Sequence, residues 1–372
     1  MVRMLTEEYA ASAPRGRSRP AWRALASALA CALLGGCGTT YVMQAASGQL
    51  HVMHEREPLD KVIADPHTSA AVRAQLEQVR AARDFASQQL GLPDNQSYRS
   101  YADIGRPYVV WNVVATPEFS VTPEHWCFPV AGCVAYRGYF HEEAARKFAH
   151  EMVVKGYDVT VGGVPAYSTL GKFADPVLSS MLRYGDDDLA ATIFHELAHQ
   201  LLYVRDDSAF NEAFATTVED AGLERWIAHQ GGGMRIREYR DEQAREAAAV
   251  KVLSATRARL VRLYASGVPP QVMREEKQKI LAELAAQIRA AEYREHVRYP
   301  LYDDWIAAGL NNAQLASIAT YYDCVPGFKR LLAQAGDDLP RFYAAAREVS
   351  QLPRAQRHAQ LCTTGATIEA GE

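Results

Sequence analysis

Apolar residues recur at helical spacing along most of the chain and alternate only over a short stretch of its first half. From 59 to 90, Val62, Val72, Leu76, Val79, Phe85 and Leu90 fall on one helical face, and Gly91 and Pro93 stop the pattern. Residues 98–140 differ. They are rich in Tyr, Trp, Val, Pro and Gly, with runs such as Tyr108 to Val114, and predict strands and turns. Helical spacing returns over 141–155. Tyr157 to Leu170 alternates around Gly162-Gly163, which predicts a bent strand or a hairpin. Residues 186–229 predict two helices joined by a short turn. Residues 241–296, rich in Ala, Arg, Glu, Lys and Leu, predict a long helical hairpin broken at Gly267-Val268-Pro269-Pro270. More helix follows over 301–361, and 363–372 reads as a loose tail. The class is α+β, predominantly helical, with a small sheet in the first half and a long helical hairpin in the second.

Composition narrows the function classes. Of 372 residues, 48% are hydrophobic and 23% charged, which excludes a collagen, a coiled-coil rod and a disordered chain. The formal charge is -4 and no basic domain stands out, so nucleic acid is not an expected partner.

The first 36 residues read as a lipoprotein signal peptide. Arg15, Arg17, Arg19 and Arg23 precede an apolar run from Ala24 to Leu34 that is too short to span a bilayer. Leu34-Gly35-Gly36-Cys37 follows and looks like a bacterial lipobox, with Cys37 as the lipid attachment. The alternative is an ordinary signal peptide with an incidental cysteine. Gly38, rather than Asp, follows Cys37 and tilts the expected address to the outer membrane, facing the periplasm. The long basic segment also leaves Met4 or a later residue as a possible start. Removing 1–36 takes away five Arg and two Glu, which moves the charge from -4 to -7. Four cysteines then remain besides Cys37. Cys127 and Cys133 are close in sequence, and Cys324 and Cys362 are left over. An oxidising compartment permits disulfides, but three connectivities are open. No CxxC is present to favour a zinc knuckle.

The chemistry concentrates between 186 and 220. Asp186-Asp187-Asp188 opens a helix whose dipole they complement. It continues to His195-Glu196-Leu197-Ala198-His199. His195 and His199 lie one turn apart on one face, so both imidazoles can meet one Zn²⁺. Glu196 is offset around the helix and can serve as general base. This is the HExxH arrangement of zinc hydrolases. Two structural histidines are the rival reading, but the helix is otherwise apolar and unpaired imidazoles would be costly there.

A third ligand must come from elsewhere. Arg205-Asp206-Asp207-Ser208 can turn the chain and cap a second helix, which carries Glu212 and Glu219 seven apart on one face. Glu219 stands twenty residues after His199, the thermolysin-like interval. Glu212 stands thirteen after it, in an Asn-Glu pairing that resembles gluzincin third-ligand helices and, with the following Ala-Phe-Ala, compact gluzincins of the lethal-factor type. Glu212 is the expected ligand, and Glu219 the expected partner of a ligand histidine or the alternative ligand.

These residues belong to a wider likeness. Trp111-Asn112-Val113, Ala115-Thr116-Pro117-Glu118, the run from Trp126 to Cys133, Tyr136-Arg137-Gly138-Tyr139-Phe140, Ala166 to Gly171, Phe194 to Gln200 and Phe210 to Ala215 resemble a family of bacterial lipoproteins known as putative aminopeptidases. The resemblance spans nearly the whole chain after Cys37. It implies a zincin-like catalytic region over 37–235, a helical region packed on it over 236–362, and one zinc ion. It says little about substrate, since the activity label itself follows from HExxH.

The expected reaction is peptide hydrolysis, with His195, His199 and Glu212 on zinc and Glu196 as base. A tyrosine commonly steadies the oxyanion in such enzymes, and Tyr136, Tyr139 and Tyr167 are the expected choices. Tyr203 shares the His199 face but stays near its own helix. Residues 157–171 are expected to offer an edge on which a peptide docks. An aminopeptidase must also hold a free ammonium, for which Glu118, Asp206, Asp207 and Glu219 are candidates. Two rivals remain. One is an envelope endopeptidase. The other is a non-catalytic, lipid-anchored helical scaffold with a structural metal. Oligomeric state leaves no signature in the sequence.

Overall fold

A computed structural model describes residues 37–128 and 132–362. The expected leader over 1–36 and the loose tail over 363–372 lie outside the described residues. The chain divides between Ser47 and Gly48. Before that point the described residues belong to helix α1 (Cys37–His54), and the expected lipid-bearing Cys37 is the first of them. From Gly48 onward the chain forms one compact unit.

After strand β1 (Arg56–Pro58), the single helix expected over 59–90 is two, α2 (Leu59–Ala64) and α3 (Ala70–Gln88). Pro66 explains the break: it cannot donate an N–H, and it forces Asp65 into an extended conformation, with ψ at 122°. Ser69 then caps α3 by accepting from the Val72 N–H at 3.3 Å.

The stretch 98–140 gives strands β2 (Ser100–Ala102), β3 (Val110–Pro117), β4 (Trp126–Phe128), β5 (Gly132–Val134) and β6 (Arg137–Tyr139). Helix α4 (Glu142–Val154) follows, then β7 (Tyr157–Val164). The Gly162-Gly163 pair makes no turn. Both residues stay in register with Asn112 and Trp111 of β3. Gly163 is there for room, since a Cβ would run into the Tyr108 ring. With β8 (Val177–Leu178), the strands form three small sheets, ordered β1-β2-β8, β6-β3-β7 and β4-β5.

The rest is helical: α5 (Asp186–Leu201), α6 (Ser208–His229), α7 (Gly233–Ala265), α8 (Pro270–Glu295), α9 (Pro300–Ala308), α10 (Asn312–Tyr322), α11 (Val325–Gln334), α12 (Leu339–Ser350) and α13 (Arg354–Leu361). The expected hairpin is α7 and α8. The molecule is thus predominantly helical with small sheets.

Two apolar cores hold the compact unit. One gathers Leu76 and Phe85 of α3, Phe194 and Leu197 of α5, Phe210 and Phe214 of α6, and Phe328 and Phe342 from the C-terminal helices. Each large buried side chain contributes about 1.5–3 kcal/mol of transfer free energy. The other joins Leu253 and Leu260 of α7, Leu284 and Ile288 of α8, Tyr302 of α9 and Leu315 of α10. Helices α5 and α6 lie close because Gly222 has no side chain. A Cβ there would stand 2.8 Å from Leu90 and 3.0 Å from Phe194.

Candidate metal centre

Helix α5 begins after Gly185, whose N–H donates to the Asp188 carboxylate at 3.2 Å. Asp186, Asp187 and Asp188 occupy its first turn, where the helix dipole favours negative charge. Its apolar face is fully in the core, and the helix ends at Leu201. The chain reverses over 202–207 and restarts as α6. Asp207 caps α6, accepting from the Phe210 N–H at 3.3 Å. Asn211 fastens the turn from the other side: its amide accepts from the Val204 N–H at 2.7 Å and donates to the Val204 carbonyl at 2.8 Å. Asp207 is itself gripped by Arg357 at 2.8 Å and His358 at 2.7 Å, both from α13. The start of α6 is therefore fixed relative to α5 by Asp207 and Asn211 within the turn and by Arg357 and His358 of the C-terminal helix α13.

That geometry brings three residues together. His195 Nε2 and His199 Nε2 are 3.1 Å apart. Glu212 Oε2 lies 3.4 Å from the first and 3.7 Å from the second. A tetrahedral ion with ligands at 2.0–2.1 Å separates them by about 3.3 Å. The three atoms thus stand at the spacing such an ion needs, and among the described residues this is the one group of His, Cys, Asp or Glu that could hold a metal. Glu219, one heptad further along α6, puts Oε2 2.8 Å from His195 Nδ1. That contact orients the ring with Nδ1 toward Glu219 and Nε2 toward Glu212. His199 Nδ1 is buried without a partner.

The electrostatics point the same way. Burial alone would make the His195 imidazole harder to protonate, but hydrogen bonds and negative charge from Glu212 and Glu219 outweigh it, and its pKa is raised well above the ordinary value. Burial would raise the Glu212 carboxyl, yet the charges and hydrogen bonds of His199 and His195 hold it far below the usual carboxylate range. Both shifts say that the cluster attracts positive charge to its centre. Glu196, beside His195, is pushed up by burial, with the two histidines acting in the opposite direction.

Two residues near Glu196 carry no sequence signal. Tyr98 is 1% exposed, its φ is 60°, and its hydroxyl has no hydrogen-bond partner. Burial and then the charge of Glu196 raise its pKa. Its N–H donates to the Asp175 carbonyl at 2.6 Å. Asp175, pushed up to about 6 by burial, holds the 169–175 loop through the Thr169 N–H and hydroxyl. Nearly a hundred residues separate Tyr98 from Glu196, so spacing could not have linked them.

The other expected residues are dispersed. Tyr139 is buried against Phe148 and under Arg137. The Tyr167 hydroxyl donates to the Gln49 side chain. Tyr136 lines a cleft over the β3–β7 sheet. Tyr203 ends up beyond α5, its ring 6.4 Å from that of His199 and its pKa raised by burial and then by Glu212. Of the carboxylates considered for an ammonium, Glu118 is held by Arg274, Asp206 accepts from the Cys133 N–H at 2.6 Å, Asp207 is the clamped cap, and Glu219 serves His195. Disulfides join Cys127 to Cys133 and Cys324 to Cys362.

Comparison with known proteins gives one match. A family model described as "Putative aminopeptidase" matches residues 40–361. No curated protein and no solved structure matches the chain.

Proposed function

The chain belongs to the putative aminopeptidase family, and on that footing we propose that it is a zinc-dependent peptidase of the cell envelope, acting first as an aminopeptidase. The observation that carries this reading is the convergence of His195 Nε2, His199 Nε2 and Glu212 Oε2, with Glu196 one residue from the first histidine. Two imidazoles and one carboxylate suit zinc. When bound, such an ion supplies a Lewis acid for the scissile carbonyl and for a water molecule. Helices α5 and α6 would then be the centre of a zincin-like core.

The protein's own residues do the rest. Glu196 takes the proton of the attacking water and passes it to the leaving amine. The raised proton affinity that burial gives this carboxyl suits it to both halves of that transfer. Glu219 orients His195, and the Asp207–Arg357–His358 cluster keeps Glu212 at its station. The expected lipidation at Cys37 would tether the chain to the membrane. Two disulfides agree with an oxidising compartment. No helix among the described residues is long and apolar enough to cross a membrane.

A second reading, an endopeptidase, draws on one observation. The four carboxylates considered for a substrate ammonium are already engaged by protein groups.

The test measures zinc content and assays the chain and its Glu196→Gln variant on peptides with free and acetylated N-termini. The variant is expected to keep its metal and lose about 10²–10⁴-fold in turnover. Cleavage confined to free N-termini supports the aminopeptidase, and internal cuts in acetylated peptides the endopeptidase. If zinc binds and neither protein cuts, the metal is structural and the scaffold reading replaces both.

A further inference from the structure

Cys127 and Cys133 stand directly opposite each other in β4 and β5. These strands hold three residues each and form a two-stranded sheet of their own. A lone two-stranded hairpin is marginal in water. The Cys127–Cys133 disulfide closes this one. Its sequence separation is 6, against 38 for Cys324–Cys362, so it restricts the unfolded chain less. Its effect is local: it fixes the backbone of Gly132 and Cys133.

That backbone meets the turn between α5 and α6. The Cys133 N–H donates to Asp206 Oδ1 at 2.6 Å. Gly132, with φ at 77°, lets the carboxylate approach, since a Cβ there would run into Asp206 and Arg205. Asp206 itself has φ at 66°, a left-handed conformation that residues other than glycine keep when neighbouring groups hold it. It lies in the chain between His199 and Glu212, beside Asp207, the cap of α6.

The turn is therefore held from two sides, each secured by a disulfide. Asp207 is gripped by Arg357 and His358 of α13, and Cys362, just beyond that helix, is joined to Cys324. Cys324 is 0% exposed and belongs to the main core. Asp206 is gripped by the β4–β5 hairpin, whose Cys127 is exposed. One bridge is sealed in the core, and the other is within reach of a reductant in solution.

We infer that Asp206 is a positioning residue for the His195/His199/Glu212 cluster and that its hold is redox-sensitive. With the Cys127–Cys133 bridge formed, the hairpin clamps the turn that carries the chain into Glu212. Reduction by a dithiol releases the clamp. One thiolate of the dithiol attacks Cys127 Sγ and expels Cys133 as a thiolate. Its second thiol then displaces Cys127 from the mixed disulfide. The bridge takes up two electrons and two protons, and the dithiol leaves as a disulfide. The inference rests on the reading of the cluster as a metal centre and adds a control that acts from outside it.

The test uses the whole chain and needs no turnover. Zinc affinity is read by competition with a chelator, and amide hydrogen exchange over 202–212 is read on zinc-free protein. Four forms are compared: the bridged parent, Cys127→Ser with Cys133→Ser, Asp206→Ala, and all three substitutions together. Removing the bridge keeps every backbone N–H. It is expected to weaken zinc binding about tenfold, the low end for groups that support a metal ligand from behind. Exchange over 202–212 should quicken about tenfold or more, while the thermal melt stays cooperative. In Asp206→Ala both readings should already be shifted, and removing the bridge should move neither further. Dithiothreitol, removed before the readings, should reproduce the bridge-free form in the parent, and alkylation should then mark Cys127 and Cys133 while Cys324 and Cys362 stay joined.

The inference is overturned if bridged and bridge-free forms exchange alike over 202–212 or bind zinc equally. It is also overturned if the bridge acts as strongly in Asp206→Ala, if Cys324–Cys362 opens first, or if the double serine variant loses its cooperative melt. A chain that binds no zinc in any form counts against the metal centre alone, and the exchange over 202–212 still decides the clamp.

Discussion

Glu219 Oε2 lies 2.8 Å from Nδ1 of His195, on the ring edge opposite the Nε2 that faces Glu212. Two carboxylates seven residues apart on α6 therefore address the two nitrogens of one imidazole. One stands where a ligand would, and the other sets the ring's orientation.

This division of labour predicts unequal effects. Glu219→Ala should lower zinc affinity about 10–100-fold, the usual range for loss of a hydrogen bond to a ligand histidine. Glu212→Ala should lower it further, since it removes one of only three protein donors. Competition with a chelator of known affinity measures both. A larger loss in Glu219→Ala would exchange the two roles.

Acid should expel the metal. The His195 imidazole has a raised pKa, so below that value a proton occupies the centre of the cluster and must leave before a cation can bind. Zinc affinity should fall by about tenfold per pH unit for each proton displaced. Titrations in two buffers of different ionisation enthalpy would show the proton release. A flat profile through the acid range would mean that the imidazole is not the group displaced.

Arg357 is expected to matter more for folding than its distance from the HExxH sequence suggests. It bonds Asp207, whose side chain is 0% exposed, at 2.8 Å. Arg357→Met leaves that carboxylate with fewer partners and should cost about 3–5 kcal/mol, the range for breaking a buried ion pair from one side. The effect has a defined pH window. Burial raises the Asp207 carboxyl, but hydrogen bonds from His358 and Arg357 outweigh it, so its folded pKa is lowered. A depressed carboxyl stabilises the fold above its ordinary value of 3.8 and ceases to do so as pH falls through the folded value. Urea unfolding should show a large difference between parent and variant at neutral pH and a small one in strong acid.

Gly222→Ala should destabilise by about 1–3 kcal/mol through overpacking. Its Cβ would press on Leu90 and Phe194, where α6 meets α5. The same displacement moves Glu212 relative to the histidines, so zinc affinity should drop with stability. Thermal melts with and without zinc read both, and an unchanged affinity would show that the helix pair relaxes elsewhere.

Local pattern carried much of this protein. Helical spacing marked α3, α4 and the α7–α8 hairpin, and the short turn between α5 and α6 was legible in Arg205-Asp206-Asp207-Ser208. Where a single residue overrides periodicity, the pattern misled. Apolar spacing runs through 59–90, but Pro66 removes a donor and divides the helix. At Gly162-Gly163 the pattern left a bent strand and a hairpin open, and the chain runs on as one strand, with the Tyr108 ring filling the space over Gly163.

The sequence by itself determined that His195 and His199 share a helical face and that Glu212 and Glu219 share another, because an α-helix puts residues four and seven apart on one side. It could not determine which carboxylate meets which nitrogen. That depends on how far α5 and α6 slide past each other, which is decided by Gly222, Asn211 and the hold of α13 on Asp207. Nor could it show that Tyr98 is buried within the influence of the Glu196 charge, that the carboxylates weighed for an ammonium are engaged, or that Gly162 lies beside a cleft walled by residues of α9. Helical periodicity acts over a few residues and is written in the local sequence. Burial and charge pairing act through space, and only the folded chain brings those residues together.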